Sequence, residues 1–338
     1  MKIWHKILET ALHAPSPHNV QPWRVKILDD YRAELYIDST RTLPKEDTTG
    51  SFIILTMGMF LEAIDILARR ERLKIEYEFV HPPGWYAPAI LETREPTLLP
   101  FARMRLIETE KAENIYDENL FFRRRTSRLS LAPDKVPANA TEILKNLAAG
   151  FGHQYFEIAD AETIERILNR NIEAVFTDLN SPHYQEELVS WFRFSDRESK
   201  AKLDGLDYRC MNVSRFNFRL SAIAPGLLKL PVFRQILRRE YRRQLGTVPT
   251  VGALAGGFWN PAEAFQAGRC LMRFWLETAK HNLYIHPYGN LVTNPEAARW
   301  WNENVRISET WLIFKIGYSE EPPKSYRLPL ERILIEEN

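Results

Sequence analysis

The sequence predicts an α+β protein made of two fused lobes, each with an antiparallel-type sheet and a buried central helix. Two observations lead to this prediction. The order of helix and strand patterns in the first 110 or so residues is echoed in the rest of the chain, and each half holds one long apolar helix with a glycine near its middle, Gly58 or Gly268. A glycine inside a helix marks the close approach of another element. We therefore expect a degenerate internal duplication.

The first predicted lobe covers residues 1–112. Its first helix carries apolar residues on one stripe. Its first two strands alternate apolar and polar residues and are joined by a polar turn. Its long helix is apolar nearly all round, which is typical of a buried helix. The predicted elements are a helix at 3–12, strands at 23–28 and 33–38, a helix at 51–70, a strand at 74–80, a proline-rich loop at 82–88 and a strand at 98–108.

The second predicted lobe covers residues 113–338. Its long helix begins with a proline at the first position, where the missing N–H costs nothing. Residues 194–248 form an irregular, basic insertion that we expect to act as a lid, and 319–338 form a C-terminal tail. The predicted elements are helices at 114–122, 141–150, 161–176 and 261–282, and strands at 154–160, 249–257 and 309–318; the stretch 182–193 precedes the insertion.

The composition excludes several classes of protein. The chain has 338 residues, is 45% hydrophobic and carries a formal net charge of +1, which is typical of a globular protein and untypical of a nucleic-acid binder. Its two cysteines, Cys210 and Cys270, form neither a metal spacing nor a disulfide framework. We find no signal-peptide pattern and no apolar run long enough to span a membrane. The expectation is a soluble, cytoplasmic protein.

The stretch 13-HAPSPHNVQPWRVKI-27 lies between the first helix and the first strand. Its three prolines restrict the backbone, so this loop should hold a fixed shape. Between the prolines, Ser16, His18, Asn19 and Gln21 offer hydrogen-bonding groups. Such loops either connect elements or bind a ligand.

A basic cluster, 123-RRRTSR-128, lies where a helix ends and a proline-containing linker begins. Several guanidinium groups held together repel one another unless an anion is present, and their planar forks match phosphate oxygens. The alternative is a solvated helix end placed favourably against the helix dipole. The tail segment 322-PPKSYRLPL-330 leaves the same choice open. It is either a second clamp, through Lys324 and Arg327, or a strap across the other lobe.

The segment 283-LYIHPYGNLVTNP-295 follows the second long helix. Its glycine, Gly289, would let a flat heteroaromatic ligand approach the backbone amides of the turn. Three roles stay open for His286: it is a base, a ligand-binding residue or a packed structural residue. Other templates are absent from the sequence, including the dinucleotide and phosphate-binding glycine loops, the H-E-x-x-H motif and the nucleophile elbow. We expect no metal site.

Taken in order, four stretches resemble the FMN-dependent nitroreductase family. The segment 14-APSPHNVQPW-23 is similar to its A-P-S-x-x-N-x-Q-P-W loop, and 124-RRTSR-128 to its R-R-S-x-R phosphate signature with Thr for Ser. Residues 268–289 resemble its last long helix and flavin-facing turn, and residues 317–334 its closing segment. In ordinary members the arginine signature comes before the A-P-S loop. Here the order is reversed, so the chain looks most like the single-chain, double-lobed (Acg-type) subgroup.

This resemblance implies FMN as the cofactor and NADPH or NADH as the electron donor. Because family members are homodimers with flavin between the subunits, it also implies a pseudo-dimer within one chain, as a monomer or a homodimer. The implied cofactor-binding residues are Pro15, Ser16, Asn19 and Gln21 at the flavin ring or ribityl chain; Arg124, Arg125, Thr126, Arg128, Lys324 and Arg327 at the phosphate; and Pro287, Tyr288 and Gly289 near flavin N5.

The implied reaction is ping-pong reduction of a small-molecule acceptor, such as a nitroaromatic or a quinone, through flavin N5. It needs no dedicated acid–base residue, so no catalytic side chain is assigned. The amide of Gly289 or Tyr288 would lie near N5, and Arg24 is a candidate cation for the reduced flavin. Two alternatives stay open. The first is a non-catalytic flavin-binding or storage protein covered by a lid, and the second is an oxidase that remodels a specific small molecule. Neither nucleic acid nor membrane is an expected partner.

Overall fold

Two four-stranded antiparallel sheets frame the computed structural model, which describes residues 2–93, 95–216, 218–219 and 231–336. The first sheet and its helices come from the N-terminal third of the chain. In chain order these elements are α1 (Lys2–Ala11), β1 (Trp23–Ile27), β2 (Arg32–Asp38), α2 (Ser51–Arg70), β3 (Leu73–Phe79), α3 (Pro83–Glu92) and β4 (Leu98–Glu108).

The rest of the chain supplies the second sheet, a short two-stranded pair and most of the helices. These elements are α4 (Asn119–Arg123), α5 (Ala138–Gly150), β5 (Gln154–Ile158), α6 (Ala161–Asn180), α7 (Pro182–Ser190), β6 (Phe192–Arg193), α8 (Asp196–Lys202), β7 (Leu206–Asp207), α9 (Pro231–Leu245), β8 (Val251–Ala255), α10 (Pro261–Lys280), β9 (Tyr284–Pro287), α11 (Asn290–Thr293), α12 (Pro295–Asn304), β10 (Thr310–Gly317) and α13 (Leu330–Ile333).

Both large sheets have the same topology. The first has the order β1-β2-β4-β3 and the second the order β5-β8-β10-β9, so each follows the order 1-2-4-3 in its own numbering. All pairs within them are antiparallel. In each, the long helix (α2 or α10) connects the second strand to the third. The predicted α+β class, with antiparallel sheets and buried central helices, is confirmed.

The two long helices cross at their glycines. A Cβ placed on Gly58 would clash with the carbonyl oxygen of Phe265 and lie 3.3 Å from Gly268 Cα. A Cβ on Gly268 would clash in turn with the carbonyl oxygen of Leu55. The glycines therefore let the two backbones touch, which confirms the close approach that the sequence indicated.

A buried ion cluster joins the same two helices. Glu62 of α2 is fully buried and pairs with Arg269 (2.6 Å) and Arg273 of α10.

By length and composition alone, α2 could span a membrane, contrary to our expectation from the sequence. In the structure it is a core helix, since nearly all of its residues are buried inside the protein.

The local predictions were wrong at three places. The helix expected at 114–122 is shorter, because α4 begins only at Asn119. The proline-rich stretch 82–88 is not a loop but the start of α3: Pro82 stands at the cap and Pro83 at the first position, where proline is tolerated, and Pro88 lies inside the helix. The turn after the second long helix begins with a strand, β9, that pairs with β10. Its length of four residues gave too little alternation to be seen in the sequence.

The C-terminal tail lies across the first sheet. Leu334 forms a parallel bridge with Val25, and the Ile335 amide donates to the Val25 carbonyl at 2.9 Å. The predicted strap is therefore present. The described parts of the insertion at 194–248 form α8, β7 and α9, and residues 217 and 220–230 lie outside the described residues.

Candidate functional site

A cavity of about 670 Å³ lies between the proline loop and α2 on one side and α6, α10 and β9 on the other. This volume falls within the usual range for small-molecule and cofactor sites. Twelve of the thirteen residues that the sequence predicted line it. They are Pro15, Ser16, Asn19, Arg124, Arg125, Thr126, Arg128, Pro287, Tyr288, Gly289, Lys324 and Arg327.

The proline loop forms one wall of this cavity with an unusual backbone. His18, Asn19 and Gln21 have left-handed φ angles of 46°, 56° and 53°. Non-glycine residues seldom adopt this conformation, and clusters of it occur where a site requires a fixed shape. The Ser16 hydroxyl holds the turn by accepting a hydrogen bond from the Gln21 amide at 3.0 Å.

Gln21 is the one predicted residue that does not line the cavity. Its side chain is fully buried, and the side-chain amide forms hydrogen bonds with other parts of the protein. Oε1 accepts from the Leu328 amide at 2.8 Å, and Nε2 donates to the Leu203 carbonyl at 3.0 Å. Gln21 thus anchors the tail and the insertion to the proline loop. Arg24 also lies away from the cavity, since it pairs with Asp38 at 2.7 Å.

Three guanidinium groups line the cavity, and two of them, Arg124 and Arg327, act together on His13. Arg124 is 5% exposed; it stacks on the Trp275 ring at 4.6 Å and donates to the His13 carbonyl at 3.0 Å. Arg128 donates to the Cys210 carbonyl, and Arg327 donates to Asn19 Oδ1 at 2.8 Å. Within the described part of the chain, none of the three has a carboxylate partner.

Burial governs the electrostatics of this cationic end. Loss of water lowers the pKa of Arg124 to about 9 and that of Arg327 to about 10, and it lowers the pKa of Arg128 as well. Burial, followed by the charges of Arg327, Lys324 and Arg124, lowers the pKa of His13 to about 3. Buried cations without counter-charges are costly, so an anionic ligand would stabilise this end.

The remaining predicted cations lie nearer to the surface. Arg125 pairs with Glu321 at 2.7 Å and donates to the Pro322 carbonyl, so it holds the tail as well as lining the cavity. Lys324 sits over the Phe122 ring at 5.1 Å. Thr126 forms a parallel bridge with Ile285, which fixes the arginine segment along the edge of the second sheet.

The turn at 287–289 faces the same space. The Tyr288 amide donates to the Ile313 carbonyl at 2.7 Å, which favours Gly289 as the amide presented to a ligand. Tyr288 is 2% exposed, and its hydroxyl has no hydrogen-bond partner among the described residues. His286 lines the cavity, where burial holds its pKa well below the usual value, so it is neutral.

The sequence reasoning missed an acidic group in this cavity. Glu46, Asp47 and Asp178 line it, and His18 Nε2 lies 3.2 Å from Glu46 Oε2. Burial raises the pKa of Glu46 to about 7 and that of Asp47 to about 7, and burial lowers the pKa of His18 to about 4. The local pattern gave no signal for this group, because its members come from three separate segments.

The insertion also contributes to the cavity. Cys210, Met211 and Val213 line it, as do Leu237 and Tyr241 of α9. The insertion therefore supplies part of the cavity wall.

Comparisons with solved structures return nitroreductases. A putative nitroreductase from Anabaena variabilis is 10% identical, with 94% of this chain and 88% of that chain covered and a TM-score of 0.48. The FMN-dependent nitroreductase NfnB from Mycobacterium smegmatis, in complex with NADPH, is 14% identical, with 65% and 97% covered and a TM-score of 0.39. A nitroreductase with bound FMN from Bacteroides fragilis is 14% identical, with 65% of this chain and 97% of that chain covered and a TM-score of 0.37. No family model and no curated protein matches the chain.

Proposed function

We propose that this protein is an FMN-dependent oxidoreductase that takes electrons from NADPH or NADH and reduces a nitroaromatic or quinone-like small molecule. The observation that carries the proposal is a group of three guanidiniums, the buried Arg124 and the half-buried Arg128 and Arg327. All three line one cavity and have no carboxylate partner among the described residues. Guanidinium groups in this arrangement fit a phosphate.

The chemistry of the other lining residues fits FMN as well. An unpartnered Nε on Arg124 and another on Arg327 leave donors for phosphate oxygens. Ser16 and Asn19 supply polar groups for the ring or ribityl chain, and apolar walls suit a flat aromatic ring. Gln21, by contrast, would act through the position of the tail rather than by touching the cofactor.

FMN, when bound, would supply the two-electron chemistry. The protein's part would be binding and orientation. Arg124, Arg128, Lys324 and Arg327 would hold the phosphate, and the Gly289 amide would donate to the ring. The lining segments of the insertion would exclude water. No described residue needs to be assigned as a catalytic acid or base for this function.

The two lobes would correspond to residues 1–112 and 113–338, the halves of an internal duplication. The shared 1-2-4-3 strand order and the paired glycines support this division. The first lobe supplies the proline loop and the second supplies the arginines and the 287–289 turn, so one chain suffices to build the cavity. We therefore propose a pseudo-dimer that corresponds to the single-chain, double-lobed subgroup.

A flavin-binding or storage protein without turnover is the second candidate. The placement of the insertion favours it, because Leu237 and Tyr241 of α9 line the cavity and would cover a bound flavin.

An anaerobic absorbance spectrum before and after addition of NADPH or NADH separates these candidates. We expect a flavin band at about 450 nm that bleaches with the nucleotide. A band that persists would favour the storage protein. No band, even after reconstitution with FMN, would overturn both.

Arg128→Ala tests the phosphate clamp. Because a hydrogen bond to a charged group contributes about 1.5–3 kcal/mol, the variant should bind FMN about 10- to 100-fold more weakly. Arg123→Ala is the matched control, since Arg123 belongs to the same cluster but does not line the cavity. Equal FMN affinity in the two variants would place the phosphate elsewhere.

A further inference from the structure

The cavity carries charges of both signs. Arg124, Lys324 and Arg327 form a cationic end around His13, whereas Glu46, Asp47 and Asp178 line a part close to the 287–289 turn, and Arg128 acts on His18 beside Glu46. A Cβ placed on Gly289 would lie 3.9 Å from Glu46 Oε1. Within the described residues, no ion pair joins these carboxyl groups to the cations of the cavity. The carboxyl groups therefore lack a positive partner.

Two of the carboxyl groups at this acidic end are already held by the protein. Asp178 accepts from the side-chain amides of Asn290 (2.7 Å) and Asn294 (2.8 Å). Glu187, on α7 behind Glu46, accepts from the main-chain amides of Lys45 and Glu46. These contacts fix the geometry of the acidic end and leave the two carboxyl groups little capacity for a ligand.

Glu46 and Asp47 are different, because each has an oxygen without a close protein donor. Asp47 is 5% exposed; its carboxyl group interacts with the main-chain amides of Ile53 (2.9 Å to Oδ2) and Phe52, while its Oδ1 has no close partner among the described residues. Glu46 contacts His18 through Oε2, its Oε1 lies nearest to Gly289, and 28% of its side chain is exposed. The buried Oδ1 of Asp47 is costly to leave without a donor, and a cation or a strong donor from a ligand would relieve that cost.

The walls beside these carboxyl groups are apolar. Three apolar side chains line the cavity near the acidic residues. Phe176 and Leu179 lie on α6 with Asp178, and Phe52 lies on α2, shortly after Asp47. A flat aromatic body would bury its surface against them. A positively charged group on that body could then reach Glu46 and Asp47.

We propose that Glu46 and Asp47 form a subsite that recognises a protonated amine or amidinium group on the acceptor molecule. This inference rests on the proposed function in one respect: it takes the cationic end as filled by phosphate, which leaves the acidic end for the second ligand. It adds the substrate class, an aromatic cation, that the arginine cluster alone does not define. The titratable groups that face Glu46 are His18, Asp47, Asp178 and Glu187.

The test compares two probes that differ only in charge. Isothermal titration calorimetry of the FMN-loaded protein at pH 8 measures binding of 4-nitrobenzylamine, which is a cation, and of 4-nitrobenzyl alcohol, which is neutral. We expect the amine to bind about tenfold more tightly or better, since hydrogen bonds to charged groups are the stronger kind. Equal affinities in the unmodified protein would overturn the proposal without recourse to any variant.

Variants then locate the preference. Glu46→Gln keeps the shape of the side chain, and it should reduce the preference for the amine over the alcohol, while Glu46→Gln combined with Asp47→Asn should abolish it. Glu186→Gln is the matched control, because Glu186 lies on α7 with 83% of its side chain exposed and outside the cavity. A charge preference that survives the double substitution would overturn the assignment.

The two proposals can fail separately. A protein that binds no FMN but still prefers the amine would refute the oxidoreductase and keep the cation subsite. A flavin that bleaches with NADPH, in a protein that binds both probes equally, would support the oxidoreductase and refute the cation subsite.

Discussion

The crossing of α2 and α10 makes a sharp prediction for Gly58→Ala. The added methyl group would enter the helix contact inside van der Waals distance of the Phe265 carbonyl oxygen, 3.1 Å from Phe265 C and 3.3 Å from Gly268 Cα. All three neighbours are backbone atoms. Because backbone atoms cannot rotate away as a side chain would, the two helices must separate to accept the methyl group.

The magnitude follows from two opposing effects. Replacing a helical glycine by alanine stabilises a helix by about 1 kcal/mol. Overpacking a dense core costs about 1–3 kcal/mol, and rigid backbone neighbours place this site at the upper end. We expect Gly58→Ala to lower the free energy of unfolding by about 2 kcal/mol.

Equilibrium unfolding in urea measures the change, and Gly150→Ala supplies the control. Gly150 ends α5, and a Cβ there would meet no atom within 4 Å, so this alanine should be neutral or slightly stabilising. A Gly58→Ala protein as stable as the unmodified one, within about 0.5 kcal/mol, would refute the close crossing.

Two further predictions concern buried polar groups. Lys315 is fully buried, and burial lowers its pKa from 10.5 to about 7, so the unfolded chain holds more protons between these pH values and stability rises with pH there. Urea unfolding at pH 7 and at about pH 10 measures this rise in the free energy of unfolding, which should be smaller for Lys315→Met than for the unmodified protein. Lys145→Met, at an exposed lysine, is the control and should keep the full rise. Equal rises in the two variants would contradict the lowered pKa of Lys315. Gln21→Leu should cost about 2–3 kcal/mol and hasten proteolysis of the tail, because the Leu328 amide and the Leu203 carbonyl lose their partner. Unchanged stability with weaker FMN binding would instead make Gln21 a cofactor ligand.

Much of the fold could be predicted from the sequence, because its signals are local. The glycine in each apolar helix indicated a close backbone contact, and Gly58 and Gly268 proved to contact each other. Alternating strands and the apolar helix at 51–70 were recognisable from periodicity. The short strand β9 was missed, and the prolines of 82–88 were misread, because proline serves equally in a loop and at the first position of a helix.

The sequence by itself also identified twelve of the residues that line the cavity, since the proline loop, the arginine cluster and the 287–289 turn each have a local pattern. Only the tertiary structure decided what those residues do. It made Gln21 an anchor for the tail, and it placed Glu46, Asp47 and Asp178 together from distant segments. The physical reason is that burial and charge neighbours set the state of a polar side chain, and both come from residues far away along the chain.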